Sequence, residues 1–270
     1  MSRVPADVDL LLHERELYRQ GYRFLAGIDE AGRGPLAGPV VATCVIVDMQ
    51  KVPCIEGVYD SKALTERQRF LLYERICSEF LAWGVGVVDN TEIDRINIYQ
   101  AARKAMGEAL YACHHPYDAV LVDAMPLALE KPVLSLVKGD QRSFLIAAAS
   151  IVAKVYRDRL MDELHAQYPY YGWDKNRGYP TKQHREAIIR YGLSPFHRLS
   201  FDCYGKGNPD KCPPDKIHVD EFDREDQTPA REEDTSVRGK IGGSFHSERN
   251  GYAEKLPDSR FVSRSHDREE

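Results

Sequence analysis

The segment from Phe24 to Val47 constrains this chain most. An apolar run closes on two adjacent carboxylates, Asp29 and Glu30, and a loop of glycines and prolines leads straight into a second apolar run, Val40-Val41-Ala42-Thr43-Cys44-Val45-Ile46-Val47. Apolar, partly β-branched runs of this length read as strands, and the short loop makes them a hairpin-like pair with acids at its rim. Gly32, Gly34 and Gly38 nearly reproduce the spacing of a dinucleotide-binding loop. Such a loop opens a helix, whereas this one passes through Pro35 and Pro39 into a strand, which argues against it. The chemistry on offer is that of phosphate. Paired carboxylates bind hard divalent cations through oxygen, and small residues let backbone N–H groups approach an anion or a sugar hydroxyl. The plain alternative is a solvated strand end followed by an ordinary turn.

Asp118-Ala119-Val120-Leu121-Val122-Asp123 and Val133-Leu134-Ser135-Leu136-Val137-Lys138-Gly139-Asp140 are two further short apolar strands that finish on an acid. Any one such acid commonly serves as a turn residue or a helix cap. Three strands that all finish on acids, in an α/β pattern whose ligands gather at strand ends, point to a metal site.

The segments Gly27 to Val40, Asp60-Ser61-Lys62, Val122-Asp123, Val137-Lys138-Gly139-Asp140, Ala148 to Val155, Arg177-Gly178-Tyr179-Pro180-Thr181 and His197-Arg198-Leu199-Ser200-Phe201 occur in one order between Phe24 and Phe201. In that order they are similar to ribonuclease HII, the type 2 ribonuclease H. The resemblance implies an α/β, RNase H-like fold: a central mixed sheet flanked by helices, with a C-terminal helical extension. It also implies that Asp29, Glu30, Asp123 and Asp140 are the four acidic active-site and metal-binding residues. By the same resemblance Gly32, Arg33 and Gly34 form the loop that reads the ribonucleotide, and Tyr179 lies against the sugar at the junction. Three positions depart from the family pattern. Ala124 stands where glycine usually follows the third acid, Ala63 where a second lysine often follows Lys62, and Arg177 where lysine is common.

Four carboxylates brought together repel one another unless protonated or met by cations. With no Cys/His cluster nearby, the ions expected are Mg²⁺ or Mn²⁺, not Zn²⁺. Two of them, about 3.5 to 4 Å apart, suit in-line attack of water on a phosphodiester, leaving 5′-phosphate and 3′-hydroxyl ends. One geometric tension remains. Neighbouring residues of a regular strand face opposite ways, so Asp29 and Glu30 share a site only if the strand ends or twists there. Tyr179 offers a flat face to a sugar, and Lys62, Lys154, Arg157 and Arg177 are candidate phosphate contacts. For Lys154 and Arg157, three apart on one helix face, a structural role is equally open.

The expected activity is that of an endoribonuclease cleaving the RNA strand of RNA–DNA hybrids and nicking duplex DNA 5′ of an embedded ribonucleotide. A binding module with a dead site would lack one of the acids. A different two-metal nuclease, such as a 3′–5′ exonuclease, would lack the combination of Gly32-Arg33-Gly34 with Tyr179.

At 270 residues and 43% hydrophobic composition the chain can bury one substantial core. The expected elements are an N-terminal helix ending near Gly21, strands at 24–30, 40–48, 82–88, 118–123 and 133–138, and helices at 65–80, 91–114, 143–166 and 181–191. The expected organisation is an N-terminal helical segment at 1–20, a catalytic domain at 21–205 and a disordered charged tail at 206–270. That tail carries 12 Lys/Arg and 16 Asp/Glu and so supplies most of the net charge of −5. In the body, Lys175, Arg177, Lys182, Arg185, Arg190 and Arg198 are a basic stretch suited to phosphate backbones, or simply a solvated helix face. The N-terminus has no signal-peptide pattern and no apolar run is long enough to span a membrane, so a cytoplasmic, monomeric protein is expected. Its six cysteines, without C-x-x-C spacing, read as free thiols, and the tail's partner is left open.

Overall fold

The two apolar runs pair as a hairpin. Strand β1 (Phe24–Ala31) and strand β2 (Val40–Asp48) are antiparallel from Phe24↔Asp48 to Ala31↔Val41. A computed structural model describes residues 8–59, 61 and 64–205. Lys62, Ala63 and the expected tail at 206–270 lie outside the described residues. Strand β3 (Ala82–Val88) adds antiparallel to β2, while β4 (Ala119–Asp123) and β5 (Val133–Leu136) continue the sheet in parallel on the far side of β1. The order is β3-β2-β1-β4-β5, a mixed sheet as expected.

Helices cover both faces, which is why β2 is buried throughout as far as Val47 and apolar at every one of those residues but Thr43. On one face Leu25, Val45, Val47 and Leu121 pack against α5 (Phe144–Gln167) and α2 (Glu66–Glu79). On the other Ala26, Ile28, Ala42, Cys44 and Val122 meet the alanines and Met106 of α4 (Ile98–Ala112). Gly27 sets how near β1 lies to α5. A Cβ there would stand 2.5 Å from the carbonyl carbon of Leu145, so any side chain would force strand and helix apart. A third cluster joins Leu36, Ala37 and Met161 to Tyr171, Trp173 and Ile188, through α6 (Trp173–Asn176) and α7 (Lys182–Tyr191). This is the C-terminal helical extension. Among the described residues no helix is long and apolar enough to cross a membrane.

Caps explain most helix boundaries. Thr65 opens α2 with a reciprocal capping box to Gln68, Ser143 opens α5, and Thr181 opens α7, which stops at Gly192. The helices expected at 91–114 are α3 (Asn90–Ile96) and α4, parted where Asn97 takes a φ of 69° and its side chain accepts from the N–H groups of Tyr99 and Gln100. One boundary differs from expectation. Strand β5 ends at Leu136 because Lys138 turns left-handed at φ 56°, placing Asp140 in a 3₁₀ turn (Gly139–Gln141) and not at a strand end.

The N-terminal helix α1 (Leu12–Arg19) is fixed by one carboxylate. Glu14 is fully buried, and its Oε1 accepts from Ser143 Oγ at 2.6 Å and from Leu145 N at 3.2 Å, filling the N-terminus of α5. Its Oε2 has no hydrogen-bond partner, and burial, outweighing those hydrogen bonds, raises its pKa. A carboxyl raised in the folded state favours folding most below the ordinary carboxylate range, and that contribution is lost as pH rises through the raised value. Glu14→Gln should therefore flatten the fall in unfolding free energy from pH 4 to 7, measured by urea denaturation. An unchanged slope would show that Glu14 ionises in the fold as freely as in the unfolded chain.

Candidate active site

The carboxylates meet where two strands part. The parallel ladder between β1 and β4 runs from Leu25↔Ala119 to Ile28↔Val122 and stops, so Asp29 and Asp123 stand at its open end, on the face covered by α5. Ser150 of α5 donates a hydrogen bond to the Asp29 carboxylate and is itself 2.9 Å from Ser61 Oγ. Thr43, opposite Asp29 in the hairpin, donates to the Ala149 carbonyl at 2.6 Å and ties this end of the sheet to the same helix turn. Asp123 Oδ1 accepts the Gly139 N–H at 2.7 Å. Asp140, the next residue, is buried in the 3₁₀ turn.

Glu30 starts from the opposite face, since β1 stays paired to Ala31 and neither ends nor bulges at the acids. Its longer side chain nevertheless feels Asp123 at the open end of the ladder. One oxygen meets Arg33 Nη1 at 3.3 Å, and the other, Oε2, is buried without a hydrogen-bond partner. Burial raises the pKa of Asp29 well above its ordinary value, with Glu30 and Asp123 adding repulsion. Burial also raises that of Glu30, against the pull of Arg33. As they stand, no three acidic, histidine or cysteine side chains among the described residues are grouped to hold an ion. Protein donors hold each apart: Ser150 for Asp29, Arg33 for Glu30 and Gly139 for Asp123. The donor set, all oxygen and mutually repelling with one oxygen of Glu30 unpartnered, fits a hard divalent cation in kind.

The glycine loop is held from behind by two buried guanidinium groups. Arg198 donates to the carbonyls of Gly38 at 3.0 Å, Arg33 at 3.1 Å and Gly32 at 2.7 Å. Arg157 donates to those of Pro39 at 3.0 Å, Ala37 at 3.2 Å and Arg177 at 3.0 Å. Burial lowers their pKa values to about 10 for Arg157 and about 9 for Arg198, so both stay charged at neutral pH. Gly32, at φ 99°, lies so close to the Arg157 guanidinium that a Cβ would overlap it. Around the loop's outer side, Arg33 is half exposed, and the ring of Tyr179, 44% exposed, comes to 3.5 Å from where a Cβ on Gly34 would sit.

The expected basic contacts are placed differently. Arg157, 1% exposed, is committed to backbone carbonyls, so its placement carries the structural of the two roles left open. Lys154 pairs with Asp158, and Arg177, at φ 50°, pairs with Asp162 and Glu66. Their charged heads gather at Asp158. The basic stretch at 175–198 is no single face either: Arg198 is buried and Arg185 donates to the carbonyls of Asp202 and Cys203. Sequence reasoning assigned no role to His184 or His197 and counted Arg198 only in the basic stretch; all three are buried here. His197 and Arg198 could have been flagged by the motif His197-Arg198-Leu199-Ser200-Phe201 that carries part of the resemblance.

A family model described as ribonuclease HII matches residues 26–204. The chain is 51% identical over 197 residues to a ribonuclease HII of Rickettsia akari, covering 73% of this chain and 99% of that one. It is also 51% identical over 189 residues to a ribonuclease HII of Bacillus licheniformis, covering 70% of this chain and 73% of the relative. Among solved structures, that of ribonuclease H2 from Pyrococcus horikoshii superposes with a TM-score of 0.58 at 29% identity, over 67% of this chain and 95% of the other.

Ala124 gives the departure after the third acid a physical meaning. Its φ is 45°, a region where a Cβ is strained, and its N–H donates to Leu136 O at 3.0 Å, so the turn is closed despite the side chain. Ala124→Gly should raise the unfolding free energy by about 0.5 kcal/mol, the relief of a strained Cβ less the greater freedom of glycine when unfolded. A loss of stability in urea denaturation would show that no strain is stored there.

Proposed function

The chain belongs to the ribonuclease HII family, and from that premise we propose that it nicks duplex DNA on the 5′ side of an embedded ribonucleotide, with Asp29, Glu30, Asp123 and Asp140 holding two divalent cations, Mg²⁺ or Mn²⁺. It is a ribonuclease H, an endoribonuclease that hydrolyses the RNA strand of RNA–DNA hybrids. The observation that carries the finer reading is the placing of the Tyr179 ring against Gly34, on the loop that the Arg33–Glu30 ion pair joins to the carboxylates.

Divalent cations, when bound, supply an activated water and neutralise the oxygen that leaves as a 3′-hydroxyl. The protein's own groups do the rest. Asp29 and Asp123 share the face of the sheet toward α5 and supply the charge that attracts a cation, and Glu30 has an unpartnered oxygen for it. The loop at Gly32, Arg33 and Gly34 has its carbonyls drawn inward, which leaves small residues and the Arg33 head on the substrate side for a ribose 2′-hydroxyl and its phosphate. Tyr179 sets an apolar ring against the sugar, and Lys62 contacts a phosphate. Residues 21–205 form the catalytic domain of a monomer, and 206–270 serve tethering or regulation.

A DNA duplex carrying one ribonucleotide should be cut on that ribonucleotide's 5′ side, leaving 5′-phosphate and 3′-hydroxyl ends. Cleavage at any other bond, when mapped to the nucleotide, would sink the reading. Asp29→Asn, Glu30→Gln and Asp123→Asn should each lower kcat by roughly 100-fold or more while the chain stays folded. Mg²⁺ should raise the Tm of the wild-type chain at neutral pH and leave that of Asp29→Asn unmoved, because bound cations stabilise only a fold that holds them. Equal shifts in both would place the cation elsewhere. A chain ending at Gly205 should keep its activity on a short duplex, and loss of soluble protein would move the domain boundary into the tail.

A further inference from the structure

Beneath Tyr179 lies a chain of buried hydrogen bonds whose proton positions are fixed by its members. Ser194 N–H donates to His197 Nδ1 at 2.9 Å, so that nitrogen carries no proton. Burial lowers the His197 pKa to about 3, the ring is neutral, and its one proton sits on Nε2. His197 Nε2 lies 3.2 Å from His184 Nε2, which also receives the indole N–H of Trp173 at 3.0 Å. Indole nitrogen only donates, so His184 Nε2 is an acceptor and the proton of His184 is on Nδ1. That proton points at the carbonyl of Tyr179, 2.9 Å away.

The same carbonyl receives the Thr181 N–H at 2.8 Å, and the preceding carbonyl, of Gly178, receives the Leu36 N–H at 2.7 Å. The backbone of Tyr179 is thus held from within while its ring stands out beside Gly34. Trp173, His184, Ser194 and His197 are all buried, so water does not compete for these bonds. None of the four touches the carboxylates or stands at the surface where a substrate would lie.

We propose that His184, kept in its Nδ1–H form by Trp173 and His197, is a positioning residue that sets the Tyr179 ring over the glycine loop and so sets the preference for a single ribonucleotide within DNA. The proposal rests on the reading of Tyr179 as the residue against the sugar. Its distinguishing feature is direction. Only a donor at the Nδ1 position serves Tyr179, and a donor at Nε2 does not replace it.

Two substitutions separate these positions. The amide nitrogen of asparagine falls near Nδ1, and that of glutamine near Nε2. In the full-length chain, His184→Gln should lower kcat on a DNA duplex with one ribonucleotide about tenfold more than on a continuous RNA–DNA hybrid, with KM little changed, whereas His184→Asn should stay within about threefold of wild type on both. Tyr179→Ala should shift the ratio of the two activities in the same direction, and adding His184→Gln to it should shift it no further. Equal losses in the Asn and Gln variants, losses on both substrates in step with a fall in Tm, or additive effects in the double variant would overturn the proposal. A ratio that moves with Tyr179→Ala but not with His184→Gln rejects His184 alone. A ratio unmoved by Tyr179→Ala rejects the reading of Tyr179, and the proposal with it. Ring ¹⁵N shifts of the wild-type protein give a check independent of how the variants fold: the Nε2–H form at His184 would overturn the proposal, and the Nδ1–H form there with Nε2–H at His197 supports it.

Discussion

Two buried cations, with no carboxylate hydrogen bond among the described residues, hold the structure's working parts in place. Arg157 and Arg198 direct their guanidinium nitrogens at backbone carbonyls, five of which belong to the stretch from Gly32 to Pro39. A buried charge is costly unless its donors are satisfied, and hydrogen bonds to charged groups contribute about 1.5–3 kcal/mol each, enough to offset that cost when several converge. The loop conforms to the cations and not the reverse. Its glycine at position 32 leaves room for one guanidinium, and its carbonyls face inward because that is where the positive charge lies. Everything proposed for the outer side of the loop depends on this inner attachment.

The carboxylates pose the opposite problem, with like charges collected where water is scarce. Asp29 and Asp123 come together because parallel strands put paired residues on the same face, and the β1–β4 ladder ends one pair short of them. Glu30 reaches toward them only by the length of its side chain, while Arg33 holds one of its oxygens. Burial and repulsion together push Asp29 toward the neutral form. A cation arriving there would reverse that preference, so charge at the site is linked to what it holds.

The sheet was legible in the sequence because its strands are buried on both faces and read as unbroken apolar runs, and the helix starts at Thr65 and Thr181 because a hydroxyl cap has a local signature. The position of the break at Asn97 and the early end of β5 before Lys138 were not, since both depend on non-glycine residues taking positive φ, which tertiary packing imposes. The basic residues were ambiguous for a related reason. Arg157 and Arg177 look like phosphate contacts in a nuclease sequence, but what satisfies them are carbonyls and acids remote along the chain. The two histidines gave no local sign of a shared network, being thirteen residues apart and joined only by the fold. Asp29, Glu30 and the glycine loop are neighbours because they are consecutive, whereas Asp123 stands beside Asp29 only through the pairing of β1 with β4.

The separation between Arg198 and the loop it holds, 160 residues from Gly38 and 166 from Gly32, also orders events during synthesis. At the usual pace of about 5–20 residues per second, the hairpin leaves the ribosome on the order of ten seconds before the arginine that secures its loop. For that interval the carbonyls of Gly32, Arg33 and Gly38 lack the guanidinium that meets them in the fold. A nascent chain therefore carries Asp29 and Glu30 early, but the loop beside them takes its folded attachment only when the domain is almost complete.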